Sequence, residues 1–154
     1  MSIQERDFLM RMIQQLADAL ARIAGLRGAG RTPEALLLLQ QTTDGVFGPM
    51  ARMLEQVDSA SAAMLLASPQ KIRAYASLLD ERARIHAAQG ENARARADER
   101  RALDLFLLSL RAPAEIPDDV RAAIDALSPK VDPARLDPRA RAMLESIAAA
   151  AGNP

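Results

Sequence analysis

Cysteine and tryptophan are missing from this sequence, which holds one histidine, one tyrosine and three phenylalanines. Without cysteine there is no disulfide framework, no thiolate nucleophile and no cysteine-ligated metal. With His86 as the sole histidine, a zinc site or a hydrolytic triad would have to be built around that one residue. Strand-forming β-branched and aromatic residues are few, whereas alanine, leucine and arginine dominate, which is helix-forming composition. A charge bias is missing too: twenty basic and twenty acidic side chains cancel, so no global field argues for nucleic acid or an anionic membrane. No apolar run approaches the roughly 20 residues of a membrane span. Glu5, Arg6 and Asp7 stand before the first apolar residues, which is unlike a signal peptide. The expectation is an all-α, cytoplasmic, bacterial-type protein with no cofactor and no metal.

What is present is periodicity. Ser2 and Glu5 have the spacing of a capping box, and Phe8, Leu9, Met12, Ile13, Leu16, Leu20 and Ile23 make a continuous stripe, so a first amphipathic helix is predicted over 2–26. The following Gly25, Gly30, Arg31 and Thr32 imitate a phosphate-binding loop with arginine in place of its lysine. That loop needs a strand leading in and free backbone N–H groups. Here a helix leads in and Pro33 removes an N–H, so the favoured reading is a glycine-rich turn with Thr32 as N-cap. The next helix carries Leu36, Leu37, Leu38 and Leu39 in succession. Four consecutive leucines point in nearly every direction, so this helix is expected to be buried on most sides or to form a subunit interface.

Asp44, Gly45, Gly48 and Pro49 predict a break, followed by short helices over 49–57 and 59–66. Ser68 and Pro69 then start the stretch that organises the chain, a helical hairpin reaching residue 111. Its first helix carries Ile72, Tyr75, Leu78, Leu79, Ala83 and Ile85. Gly90 stops that helix, and Ala95, Ala102, Leu103, Leu105, Phe106 and Leu110 restore the period beyond it. Helices joined by so short a turn lie antiparallel. Aligning Gly30 with Gly90 sets Ala35 on Ala95, so the first hairpin is a weaker copy of the second. Beyond 111, Pro113, Pro117, Pro129, Pro133 and Pro138 cut the chain into short pieces, with helices predicted over 117–127 and 138–151. The domains expected are a helical domain over 1–111 and a proline-punctuated tail over 112–154 that docks on the core or on a partner.

With Gly90 at the turn, Ala83 before it and Ala95 and Ala102 after it, the hairpin resembles the tetratricopeptide repeat, a helix–turn–helix unit of about 34 residues. It departs from that pattern at His86, Glu99 and Leu107. The opening Asp7-Phe8-Leu9-Met10-Arg11-Met12-Ile13, the Gly30-Arg31-Thr32-Pro33-Glu34-Ala35 turn and the Gly90 hairpin together resemble a bacterial family of small all-helical proteins with a divergent tetratricopeptide-like hairpin. That resemblance implies the fold over residues 2–110 and no activity. In tetratricopeptide proteins the first helix of each hairpin lines a groove, which implies Ser77, Asp80 and Arg84 as partner-binding residues. Asp80 and Arg84 are equally suited to a simple i, i+4 ion pair.

No catalytic constellation emerges. His86 reads as a helix-packing or surface residue. Asp118 and Asp119 follow Pro117 at a helix N-terminus, where negative charge is favoured. Asp98 and Glu99 read as surface ion-pairing partners of Arg82, Arg84, Arg94, Arg96, Arg100 and Arg101. That arginine cluster has no interleaved aromatic for base stacking, so it reads as a solvated face, and an acidic protein surface or the chain's own acidic tail would suit it as well as nucleic acid. Two functions follow: a non-catalytic interaction module holding a peptide or helix in a groove, or a self-assembling protein that forms a homodimer through Leu36, Leu37, Leu38 and Leu39.

Overall fold

The computed structural model describes residues 2–152; Met1, Asn153 and Pro154 lie outside it. The described residues contain eight α-helices and no strand: α1 (Ile3–Gly28), α2 (Thr32–Phe47), α3 (Met50–Gln56), α4 (Ser59–Leu66), α5 (Pro69–Ala88), α6 (Asn92–Leu108), α7 (Asp118–Leu127) and α8 (Pro138–Ala151). Two single 3₁₀ turns, Ser128–Lys130 and Pro133–Arg135, separate the last two helices.

Local chemistry sets most of these limits. The Ser2 hydroxyl accepts from the Glu5 N–H at 3.1 Å and the Glu5 carboxylate accepts from the Ser2 N–H at 3.3 Å, closing the expected capping box of α1. Asp58 caps α4, Ser68 caps α5 and Asp137 caps α8 by the side-chain half of that pattern, each accepting from a first-turn N–H. The backbone N–H bond from Ser61 holds the exposed Asp58 carboxyl below its usual range.

Both hairpin turns have one geometry. Gly30 and Gly90 take φ of +78° and +77°. The N–H of Arg31 reaches Leu26 O and that of Gly30 reaches Arg27 O. In the same pattern, Glu91 reaches His86 O and Gly90 reaches Ala87 O. This is the paired-bond termination in which a left-handed residue lets the chain double back and satisfies the last carbonyls. Ala35 and Ala95 sit equally buried just past the two turns. The two turns aligned in sequence thus share one backbone geometry.

Three boundaries differ from expectation. α1 runs through Gly25 to Gly28, so only Gly30 is left-handed and no phosphate loop exists. Thr32 is already helical; the N-cap is Arg31, whose guanidinium pairs with Glu34, raising the Arg31 pKa. α2 passes the predicted break at Asp44 and Gly45 and ends only at Gly48. Gln40 Nε2 donates to Asp44 Oδ1 at 3.1 Å across that stretch, and Phe47 meets Tyr75 edge-on with ring centres 5.6 Å apart. A ring–ring contact of roughly 1 kcal/mol offsets the similar cost of one helical glycine.

α5 is the centre of the molecule. One side of it, with Ala74, Leu78 and Ile85, joins Leu9, Met12, Leu16, Ile23 and Leu39 of the first hairpin. The opposite side, with Ile72, Tyr75, Ala76 and Leu79, joins α4 and α6. Val120, Ile124, Leu127, Leu136 and Ala140 of the proline-punctuated segment belong to that same second cluster, against Leu103 and Phe106. α7 and α8 therefore close over the face of α6 that α5 leaves open.

A candidate docking groove between α1 and α5

Leu9 and Gln70 line one cleft, and Arg27 Nε meets Glu81 Oε1 at 2.6 Å further along, so α1 and α5 run in the same direction. α1 is 26 residues long and α2 only 16. At 1.5 Å per residue the first helix extends past its hairpin partner by about 15 Å. Along that free part Ile3, Phe8 and Met10 are exposed, Ile3 by 80% and Met10 by 64%, and Ile13 is exposed just past it. The expected stripe on α1 is therefore split. Leu9, Met12, Leu16 and Ile23 are buried, and Phe8 and Ile13 are turned to solvent.

Ile3 and Met10 are seven residues apart and Ile13 follows three later, which places them along one line of the helix. Gln70, Ser77 and Arg84 are likewise spaced by seven on α5, with Asp80 between the last two. Ile3, Arg6, Leu9, Met10 and Ile13 face Gln70 across a cleft of about 470 Å³. The apolar line on α1 and Gln70 of α5 thus flank one groove, and Ser77, Asp80 and Arg84 lie further along α5, outside that cleft. Ser77 and Asp80 are half-buried and Arg84 is exposed. Arg84 Nη2 lies 3.6 Å from Asp80 Oδ2, the i, i+4 pair anticipated from their spacing.

The leucine run divides. Leu39 is buried, Leu36 and Leu38 pack against the cluster of α1 and α5, and Leu37 alone is turned out, 59% exposed. Successive side chains on a helix turn by about 100°, so one of four must miss a core that lies on one side.

The arginine cluster is not one solvated face. Arg82 donates from Nε and Nη2 to both oxygens of Asp98, each at 2.8 Å, and from Nη1 to Glu55 at 2.5 Å. Burial alone would lower the Arg82 pKa, but the hydrogen bonds and charges of Asp98 and Glu55 together raise it. Arg101 reaches the last carbonyls of α3, Leu54 O and Val57 O, and caps that helix from outside. Asp98 is buried, not a surface partner. His86 is buried beside it, with Nε2 3.7 Å from Asp98 Oδ2 and Nδ1 without a hydrogen-bond partner. Arg84, Arg94 and Arg96 are exposed and Arg100 is half-buried. No ion pair joins this face to Glu115, Asp118, Asp119 or Asp125 among the described residues.

A further buried group escaped sequence reading. Asp104 accepts from Ser59 Oγ at 2.7 Å and from the Asp137 N–H at 2.9 Å, tying α6 to α4 and to the start of α8. Burial raises its pKa, against those hydrogen bonds and the Arg100 charge. Burial, reinforced by the Glu55 charge, pushes the Tyr75 phenol up to about 12. Among the described residues no three His, Asp or Glu side chains converge as a metal site, and no helix is long and apolar enough to cross a membrane. Comparison with protein-family models, curated proteins and solved structures finds no match for this chain.

Proposed function

We propose that this chain is a non-catalytic protein-interaction module, a divergent pair of tetratricopeptide-like hairpins that receives a partner's amphipathic helix in the groove between α1 and α5. The carrying observation is the exposed apolar line Ile3, Met10, Ile13 along a cleft walled on α5 by Gln70, with Ser77 and Arg84 continuing the seven-residue spacing of Gln70 along α5. Spacings of three and seven residues mesh with the ridges of another helix. The partner's apolar face would cover α1, and a charged edge would meet Asp80 and Arg84. A solvent-facing helix with no such duty is expected to be polar on that side.

The test uses the tagged chain as bait in a lysate of its source organism, with wild type, Met10→Glu and Arg84→Glu in parallel. One stoichiometric partner is expected with wild type and is lost with both variants, whose thermal midpoints stay within about 2 °C because both sites are exposed. Equal capture by all three proteins, or no stoichiometric partner, would sink the reading. A second copy of the chain is the alternative occupant, favoured by one fact: a twofold axis would bury the same apolar line twice. Light scattering that shows a dimer in wild type and a monomer in Met10→Glu would select it.

A further inference from the structure

A second groove lies on the other side of the molecule, between α6 and the 3₁₀ turns. Its wall on α6 is Ala93, Arg96, Ala97 and Arg100; its other wall is Lys130, Val131, Asp132 and Arg135, and it encloses about 640 Å³. Four cations from two separate elements converge there against one carboxylate, in a chain whose charges cancel as a whole. The carboxylate is occupied, since Asp132 Oδ1 accepts from the Ala134 N–H at 3.0 Å. Arg100 is partly engaged by Asp104 at 3.5 Å. Arg96, Lys130 and Arg135 make no ion pair among the described residues. The nearby N-terminus of α6 has no side-chain cap, so its free N–H groups add partial positive charge.

We infer that this groove binds an extended acidic peptide segment. Side chains on one side of an extended strand recur about every 7 Å, close to the roughly 6 Å between residues four apart on a helix. Arg96 and Arg100 are four apart on α6 and match two alternate carboxylates of such a peptide. Lys130 and Arg135 flank the same segment from the other wall. The alanines at 93 and 97 leave room for its backbone, and Val131 offers an apolar contact to the small residues between its acids. No aromatic residue lines the groove, so base stacking, the feature that distinguishes a single-stranded nucleic-acid site, has no platform there. This inference is independent of the α1–α5 groove.

Fluorescence anisotropy tests it with three labelled probes: an alternating Glu–Ala octapeptide, its Gln–Ala counterpart and a 12-nucleotide oligothymidylate. The Glu–Ala peptide is expected to bind, more weakly as salt rises, and the Gln–Ala peptide not to bind. Arg96→Glu and Arg135→Glu each weaken binding by about tenfold, while Arg22→Glu, on the exposed side of α1, leaves it unchanged. Circular dichroism of each variant establishes folding. Lys130→Glu, on the opposite wall from Arg96, supplies an independent variant should Arg96→Glu be unfolded. Equal affinity for the Glu and Gln peptides, or binding unaffected by any groove variant, overturns the proposal. Tighter binding of the oligonucleotide with the same dependence on Arg96 and Arg135 overturns it in favour of a phosphate-backbone site.

Discussion

At the scale of single residues, several side chains that read as surface from the sequence turn out to lock helices together. Arg82 bridges Asp98 of α6 and Glu55 of α3, and Asp98 is nearly inaccessible. Asp98→Ala would leave a half-buried guanidinium short of its main partner and is expected to destabilise by about 3 kcal/mol in urea unfolding. A cost below 1 kcal/mol would show that water replaces the carboxylate. Asp104 behaves differently because burial raises its pKa. A raised folded-state pKa means that the unfolded state releases this proton first, so this group's contribution is fully present below the unfolded carboxylate range and declines as pH rises through the raised value. Asp104→Asn keeps one oxygen to accept from the Asp137 N–H, turns its amide N–H toward the Ser59 hydroxyl, which can accept, and cannot ionise. Its stability relative to wild type is expected to improve as pH rises above the unfolded carboxylate range and to level off once the wild-type carboxyl has ionised. Asp104→Ala, which strands both donors, should cost about 2 kcal/mol at low pH and less as pH rises, because only the wild type then loses the contribution of its protonated carboxyl.

At the scale of elements, the turns carry the information. Gly90 has a left-handed backbone but open space where a Cβ would stand, so Gly90→Ala meets no clash and should cost about 1 kcal/mol from the backbone alone. Ala67 presents the reverse case. It closes α4 at φ +67° and ψ −43°, with the Ser68 N–H bonded to Leu66 O at 2.8 Å. That three-residue turn is strained for alanine. Ala67→Gly is expected to raise the thermal midpoint by about 2–4 °C; a lower midpoint would mean that chain entropy outweighs the relief. Ser2 and Ser68 were legible as caps because each acts within three positions of itself, whereas Thr32 was misread, since α2 starts one residue earlier with Arg31 as its N-cap. The end of α2 was not legible either, because Phe47 is held by Tyr75, far along the chain.

At the scale of the whole molecule, α5 is covered on two sides and α6 on three, and the last forty residues take part in the cover. Leu127 is 1% exposed in the cluster shared by α6, α7 and α8. Leu127→Ala is expected to cost about 3 kcal/mol and to shift a single cooperative transition, followed by circular dichroism. A separate early transition that leaves the main one unmoved would show that α7 and α8 unfold independently.

The sequence by itself determined the helical class, the two glycine turns, the copied hairpin and most helix starts, since these follow from periodicity and from contacts within one turn of helix. It also held one long-range signal that composition obscured. Arg82 and Asp98 lie equally far from Gly90, eight residues on either side, and positions equidistant from an antiparallel turn face each other. Only the tertiary structure decided which apolar residues were surplus. Periodicity marks Ile13 and Leu16 alike, yet one is exposed and the other buried, because α2 is shorter than α1 and α5 covers only one side. The basic groove was equally beyond reach. Arg96 and Arg135 are distant in the chain, and their charges add only because α6 and the 3₁₀ turns fold side by side.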